Sequence, residues 1–317
     1  MLFAYRIEGQ AVEPLPMPPD LAEADWIDLY CPEPDQVAAV EALSLEVPTL
    51  EDMEEIEVSN RLYRTGDVEV LTVGLPGFDV ERRPIYGPVA FLLTPDKMVT
   101  VRYHDPRPFT TFPRHADSNS AGCATHLHLF LGLVEEIVAR LADLLEAVGR
   151  SLDTASHRLF DPKVERDRDL SALLREVGSK GEDLARYRLA LLSMERALTV
   201  FGLGRGGQET RTLRPLVKAN TRDIQALVVH ADFLSGRVAH VTDVILGMVT
   251  LEQTATGQIV SVVAMLFLPP TLVASVYGMN FANLPGLDHP QGYLIATGLM
   301  LVSVVGSFLY FRWKGWL

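Results

Sequence analysis

Apolar residues follow two different periods along this chain. Up to about His115 they cluster in short runs broken by Pro and Gly: MLFAYRI from Met1, WIDLY from Trp26, VEVLTVGL from Val68, VAFLLT from Val89 and MVTVRY from Met98. Short runs rich in β-branched and aromatic residues predict strands. Residues from Pro34 to Leu43 and from Thr49 to Glu55 predict short helices, so residues 1–120 are expected to form an α/β domain. From about Ala121 the apolar spacing widens to three and four. HLHLFLGLVEEIVARLADLLEAVGRSLD from His126 and, past Asp161 and Pro162, DLSALLREVGSKGEDLARYRLALLSMERALTVF from Asp169 predict two long amphipathic helices. The segment Gly202 to Gly207 interrupts them, and a third helical stretch starts near Leu213. No Pro lies between Pro215 and Pro269, so this helix can run on into the apolar segment beyond it. Unbroken to Tyr277, it would reach ~100 Å at ~1.5 Å per residue. Residues 121–256 thus read as a helical stalk.

Two nearly uncharged runs close the chain, Gly257 to Tyr277 and Tyr293 to Phe311. Each has about 20 residues, enough to cross a hydrocarbon core of about 30 Å. A buried core helix passes the same test, but two runs in tandem followed by FRWKGWL favour a membrane hairpin. The expected plan is a first transmembrane helix over 257–277, an outer loop over 278–292, a second helix over 293–311 and a basic tail over 312–317. Arg312 and Lys314 follow the second run with Trp313 and Trp316 as interfacial anchors, whereas the loop carries no Lys or Arg. The positive-inside rule then puts both termini in the cytoplasm, and the expected location is the plasma (inner) membrane, as a multi-pass protein.

Charge narrows the partners. With 41 Asp and Glu against 28 Lys and Arg, a formal net charge of −13 argues against a nucleic-acid binder and for cations. Cys31 and Cys123 are too few and too far apart for a disulfide framework, which suits a reducing compartment. The opening MLFAYRIEGQ has no basic segment followed by an apolar run, so no cleaved leader is expected.

Alternating steps of four and three from Asp243 trace one face of the third helix: Asp243, Gly247, Thr250, Thr254, Gly257, Ser261, Ala264, Leu268, Thr271, Ser275 and Gly278. Only Leu268 is large and apolar. The membrane part of a face two residues out of register reads Ile259, Val263, Leu266, Pro270, Val273 and Tyr277, which suits lipid or neighbouring helices. Small and hydroxyl residues on one stripe fit a water-filled lumen ringed by several copies of the helix. Close helix packing favours the same residue types. A two-helix chain has no room for its own pore, so the lumen reading implies a homo-oligomer. In it Asp243 would form an inner ring of carboxylates, and Leu268 an apolar gate.

Immediately after this helix comes YGMNF, Tyr277 to Phe281, preceded by FLPPTLVAS from Phe267. Gly-Met-Asn at the outer end of the penultimate membrane helix, with a basic-aromatic tail, resembles the CorA family of magnesium channels. The segment TLEDMEEIEVSNRLY, Thr49 to Tyr63, adds a secondary match. The resemblance implies homopentamers with a cytoplasmic α/β funnel, a stalk helix continuous with the first membrane helix, and Gly-Met-Asn loops at the pore entrance. It implies uptake of Mg²⁺, with Co²⁺ and Ni²⁺, down the membrane potential, closed by intracellular Mg²⁺. Gly278, Met279 and Asn280 would form the selectivity entrance, with Asn280 side-chain oxygens and the Gly278 carbonyl accepting hydrogen bonds from the water shell of the ion. Met279 reads as a packing residue. Mg²⁺ dehydrates reluctantly, so binding the hydrated ion is the easier route. A zinc-transporting branch shares this fold but typically departs from Gly-Met-Asn at the middle residue, so Met279 tilts the reading to magnesium.

This chain also departs from its relatives. Leu284, Pro285, Gly286 and Leu287 stand where many carry Met-Pro-Glu-Leu, leaving Asp288 to supply the acidic charge. Thr254 stands where many have Asn, and the tail is less basic.

Two further clusters bear weighing. Glu51, Asp52, Glu54, Glu55 and Glu57 are candidates for regulatory Mg²⁺, because the family closes through such sites; a solvated helix face is the plainer account. Cys123, His126 and His128 lack the spacing and the fourth ligand of a zinc site. No P-loop and no nucleophile-base motif is visible, so no organic cofactor and no enzyme activity are expected. The opposing functional class is a membrane-anchored cytoplasmic sensor or enzyme, with the hairpin as tether.

Overall fold

Seven strands make one mixed sheet in the order β2-β1-β3-β7-β6-β5-β4. They are β1 (Leu2–Glu8), β2 (Ala11–Pro14), β3 (Trp26–Tyr30), β4 (Leu62–Thr65), β5 (Val68–Phe78), β6 (Pro84–Leu93) and β7 (Met98–Arg102). The computed structural model of the chain describes residues 1–9, 11–55, 57, 61–161, 169–204, 208–279 and 291–315, with backbone alone at 204 and 208–211. Only β3 and β7 pair in parallel. All the runs that predict strands form strands. The edge strands β2 and β4 were not expected, because AVEP and LYRT are four residues each and too short to show alternation. Pro14 and Arg64 suit edges, where no further ladder bond is needed.

The central strands read as continuous apolar runs because both faces of the sheet are covered. One face carries Ile27, Leu29, Val70, Ala90, Leu92, Val99 and Val101, packed with Val40 of α1 (Pro34–Glu41) and Met53 of α2 (Leu50–Glu54). The other carries Trp26 and Phe91, which meet α3 (Pro108–His115) and α4 (His126–Phe160). Ring centroids lie 5.3 Å apart for Phe91 and Phe130, and 5.0 Å apart for Phe130 and Phe201 of α5 (Leu170–Gly204). Each such side chain contributes roughly 1.5–3 kcal/mol by burial. α3 was not expected, since Pro113 lies inside it; burial of Phe109 and Phe112 against Trp26 holds the short helix together. Gly74 marks a close approach: a Cβ there would stand 2.1 Å from the Tyr86 hydroxyl, and its N–H donates to Ser193 Oγ of α5 at 3.2 Å.

A buried polar network pins β3 to β7. Trp26 Nε1 donates to Thr100 Oγ1 (3.0 Å), which donates to Asp28 Oδ1 (2.7 Å). Arg102 donates from Nη2 to Asp28 (2.9 Å) and from Nη1 to Asp105 (3.1 Å) and the His104 carbonyl (3.2 Å). Such a pair is weak evidence for stability, but breaking it leaves a buried charge. His104 is buried beside it with Nε2 3.0 Å from the Leu75 carbonyl oxygen, and burial pushes its pKa down to about 4.

The third long helix, α6, is continuous over Gln208–Tyr277, as the Pro-free stretch predicts, and α7 spans Gly292–Trp313. The chain divides into a unit Met1–Thr242 and a unit Asp243–Leu317. Within the first, α6 buries Leu213, Ile224, Ala231, Leu234 and Val241, at steps of eleven, seven, three and seven. Exposed pairs such as Arg237–Asp153 and Arg188–Asp232, both at 2.6 Å, add about 0–1 kcal/mol each.

Candidate functional site

The apolar parts of α6 and α7 are long enough to span a bilayer, and only 6% and 11% of their most apolar windows are buried. A core helix of a soluble protein would be covered by its own chain. Here the apolar surface is left for lipid or for other copies.

α7 covers one side of α6. Val262 is buried, and Leu266, Phe267, Pro270, Thr271 and Ala274 line an apolar groove of about 670 Å³ opposite Val304, Val305 and Phe308 of α7. At about 100° per residue, Leu266 and Pro270 stand roughly 160° around α6 from Leu268. The helix partner therefore takes the side opposite the stripe. Asp243, Thr250, Thr254, Gly257, Ser261, Ala264, Leu268, Thr271 and Ser275 are all exposed within the chain. Leu268 is 67% exposed and is not among the residues lining the groove with α7. Thr271 sits at the stripe's edge and shares the groove with α7, a double role that periodicity did not show. On the other face Leu266, Pro270, Val273 and Tyr277 are partly covered, whereas Ile259 and Val263 are 66% and 48% exposed.

Four of the five hydroxyls on the stripe share one geometry. Thr250, Thr254, Ser261 and Thr271 each donate to the carbonyl four residues back, at 2.9, 2.8, 2.8 and 2.6 Å. With the proton committed to the backbone, each oxygen presents only lone pairs outward. That makes a row of acceptors, Thr250 and Thr254 just before the apolar span and Ser261 and Thr271 within it, suited to the water shell of a cation. Asp243 adds a carboxylate that has no ion-pair partner among the described residues.

At its carboxyl end α6 stops at Tyr277 without a basic residue in its last turn, leaving the negative end of the helix dipole uncompensated by the helix itself. Gly278 donates to the Ala274 carbonyl at 2.9 Å, and Met279 is 47% exposed. Gly278 does not use left-handed backbone; a Cβ there would sit 3.0 Å from the Ala274 oxygen, so crowding explains the glycine. Asn280, Asp288 and the loop segment 284–287 lie outside the described residues, as does Trp316.

Among the described residues no group of three or more His, Cys, Asp or Glu is placed to hold a metal ion. Asp52 caps α2: it accepts from the Thr49 N–H at 2.9 Å and from the Thr49 hydroxyl at 2.6 Å, which holds its carboxyl below the usual range. Glu51, Glu54 and Glu55 are exposed around it. Cys123 donates to the Ala116 carbonyl at 3.1 Å, while ring nitrogens of His126 and His128 lie 3.0 and 2.9 Å from the Thr94 carbonyl and the Thr125 hydroxyl. These three side chains serve local structure.

An α/β unit, a long helix that becomes apolar and a second apolar helix define a membrane protein built around a two-helix hairpin. A model of the CorA-like Mg²⁺ transporter protein family matches residues 22–313, and the chain belongs to that family, one of transporters rather than enzymes. It is similar to the magnesium transport protein CorA of Escherichia coli (strain K12), 31% identical over 326 residues covering 100% of both chains. The complete structure of the CorA magnesium transporter from Methanocaldococcus jannaschii superposes with a TM-score of 0.76 at 16% identity, covering 100% of this chain and 99% of that one. The ZntB cytoplasmic domain from Vibrio parahaemolyticus gives 0.57 at 13% identity, over 77% of this chain and 96% of that one. These two likenesses bear on the fold alone.

Proposed function

We propose that several copies of this chain ring an aqueous pore with the acceptor stripe of α6 and pass hydrated Mg²⁺ inward through the plasma membrane. The observation that carries the reading is that α7 lies on the far side of α6 and the stripe is exposed within the chain, with Thr271 at its edge also lining the groove. The relatives named for magnesium transport support the choice of ion. A pentamer follows from the family resemblance, as do uptake of Co²⁺ and Ni²⁺ and closure by internal Mg²⁺. In this scheme Gly278 and Asn280 form the entrance, Leu268 excludes water when the pore is closed, and Asp243 and Thr250 face the inner lumen. The segments keep the assignments of 1–120 and 121–256 inside the cell, 257–277 and 293–311 in the bilayer, and 278–292 outside. Arg312 and Lys314 hold the carboxyl end in the cytoplasm. No ATP site is required, since ~100 mV inside-negative favours entry of a 2+ ion by about 4.6 kcal/mol, twice ~2.3 per charge.

The test is ion flux into liposomes holding the purified protein, ranking Mg²⁺, Co²⁺, Ni²⁺ and Zn²⁺. Mg²⁺ first supports the proposal, and Zn²⁺ first assigns the chain to zinc transport. In a background lacking Cys31 and Cys123, cysteines at 261, 264 and 275 should react with a charged thiol reagent and block flux, while one at the buried Val262 stays unmodified. No flux of any of these ions, or equal modification of both sets, overturns the pore and leaves a tethered sensor.

A further inference from the structure

The α/β unit holds a concavity that has no part in the conduction face. Arginines from three separate elements converge on it: Arg107 just ahead of α3, Arg140 of α4 and Arg186 of α5, with Asp183, Tyr187 and Phe78 beside them. Its interior is about 70 Å³. That is room for roughly five waters at ~10–15 Å³ each, or for one tetrahedral oxyanion in their place.

The guanidinium groups in this cavity are poorly engaged. The nearest carboxylate to Arg140 is Asp143 at 3.9 Å, and to Arg186 it is Glu182 at 3.8 Å, both near the limit of an ion pair. Arg107 has no ion-pair partner among the described residues. Asp183, the one carboxylate in the lining, is held by Lys180 at 3.0 Å. Arg102 shows what a structural arginine looks like in the same unit: it is buried, and its donors go to Asp28, Asp105 and the His104 carbonyl. In a chain of net charge −13, a hollow with three arginines to one aspartate is the opposite of the background. Tyr187 adds a phenol kept protonated by burial and by Asp183, while Arg140 and Arg186 act on it in the other direction.

We propose that this cavity binds a phosphate group, free or as the phosphate end of a nucleotide. Planar guanidinium forks match phosphate oxygens two at a time, and three of them outmatch the single charge of a carboxylate. Phe78, 38% exposed in the lining, offers an apolar surface for a base or sugar. The site stands independently of the proposed transport.

The experiment is titration calorimetry on the purified full-length protein, with inorganic phosphate and, separately, with adenosine triphosphate in the absence of divalent ions. Saturable binding is expected, weakening with added salt. Arg107→Gln and Arg186→Gln should each raise the dissociation constant at least about tenfold. Arg186→Lys, which keeps the charge and loses the fork, should fall between. Arg175→Gln, outside the cavity, should bind as the parent does. Equal affinity for the two ligands identifies free phosphate; a much tighter nucleotide identifies the nucleotide; both support the site. Should Arg186→Gln fail to fold, Arg107→Gln decides alone, because its side chain is exposed. No saturable binding of either ligand at millimolar concentration, or unchanged binding in the folded arginine variants, overturns it.

Discussion

The sheet of the α/β unit and the hairpin of α6 and α7 handle apolar surface in opposite ways. In the sheet Trp26, Phe91 and Leu92 are fully buried, and even the charged pair Asp28–Arg102 finds all its partners within the chain. In the apolar parts of the hairpin, residues 257–277 and Gly292–Trp313, Phe267, Leu268, Leu301 and Val302 are 62–72% exposed, and among the described residues there only Val262, Ala296 and Phe311 are buried. One unit completes its own environment; the other has its environment supplied by lipid and, on the reading above, by further copies. Mutations in the first should therefore register as stability, and mutations on the α6 stripe as transport.

The largest effect expected is on the sheet side. Phe91→Ala removes a ring packed against Phe109 and Phe130 and should cost about 3–5 kcal/mol, read as a shifted midpoint in denaturant. A cost under about 1 kcal/mol would show that this face is not the core it resembles.

His104 sharpens the comparison through pH. Its folded pKa of about 4 lies below the usual 6.5, so the unfolded chain binds the extra proton between those values. This contribution to stability is intact above ~6.5 and is lost as pH falls towards ~4, up to about 3 kcal/mol at ~1.36 per pKa unit. His104→Gln, which keeps a donor towards the Leu75 carbonyl, should flatten the acid slope of stability while leaving flux near neutral pH unchanged. A slope identical to the parent would remove His104 as its source.

On the other side the effects should appear in flux. Asn280→Ala removes one acceptor per subunit from the proposed entrance. Uptake should fall at least about tenfold, roughly 1.4 kcal/mol, with oligomer size and melting unchanged. Near-normal uptake in an assembled variant would place selectivity elsewhere.

Leu268→Ser should move stability least, within about 0.5 kcal/mol, because the side chain is largely exposed within its own chain. Resting flux should rise severalfold and inhibition by internal Mg²⁺ should weaken. A stability loss of several kcal/mol with unchanged flux would make Leu268 a packing residue and erase the contrast between the two regions.

Much of this molecule was legible in residue order because its signals are local. Strand runs, helical spacing, the Pro-free stretch before Pro269 and the two apolar runs depend on neighbours within a few turns, and all reappear as elements. The stripe on α6 was legible for the same reason. Edge strands β2 and β4 and helix α3 escaped, since each is held by partners distant in sequence rather than by its own pattern.

Three features depend on the packed chain. Asp28 meets Arg102 across 74 residues, and that pairing registers β3 against β7. Periodicity displayed every face of α6 but not which one α7 would approach; the groove that Leu266, Pro270 and Ala274 share with that helix shows it, and puts Thr271 at the seam. Arg107, Arg140 and Arg186 share no motif, and they become neighbours only because α3, α4 and α5 converge at one end of β5 and β6. Local spacing sets what each element is, whereas the side on which elements meet is chosen by the complementarity of surfaces far apart along the chain.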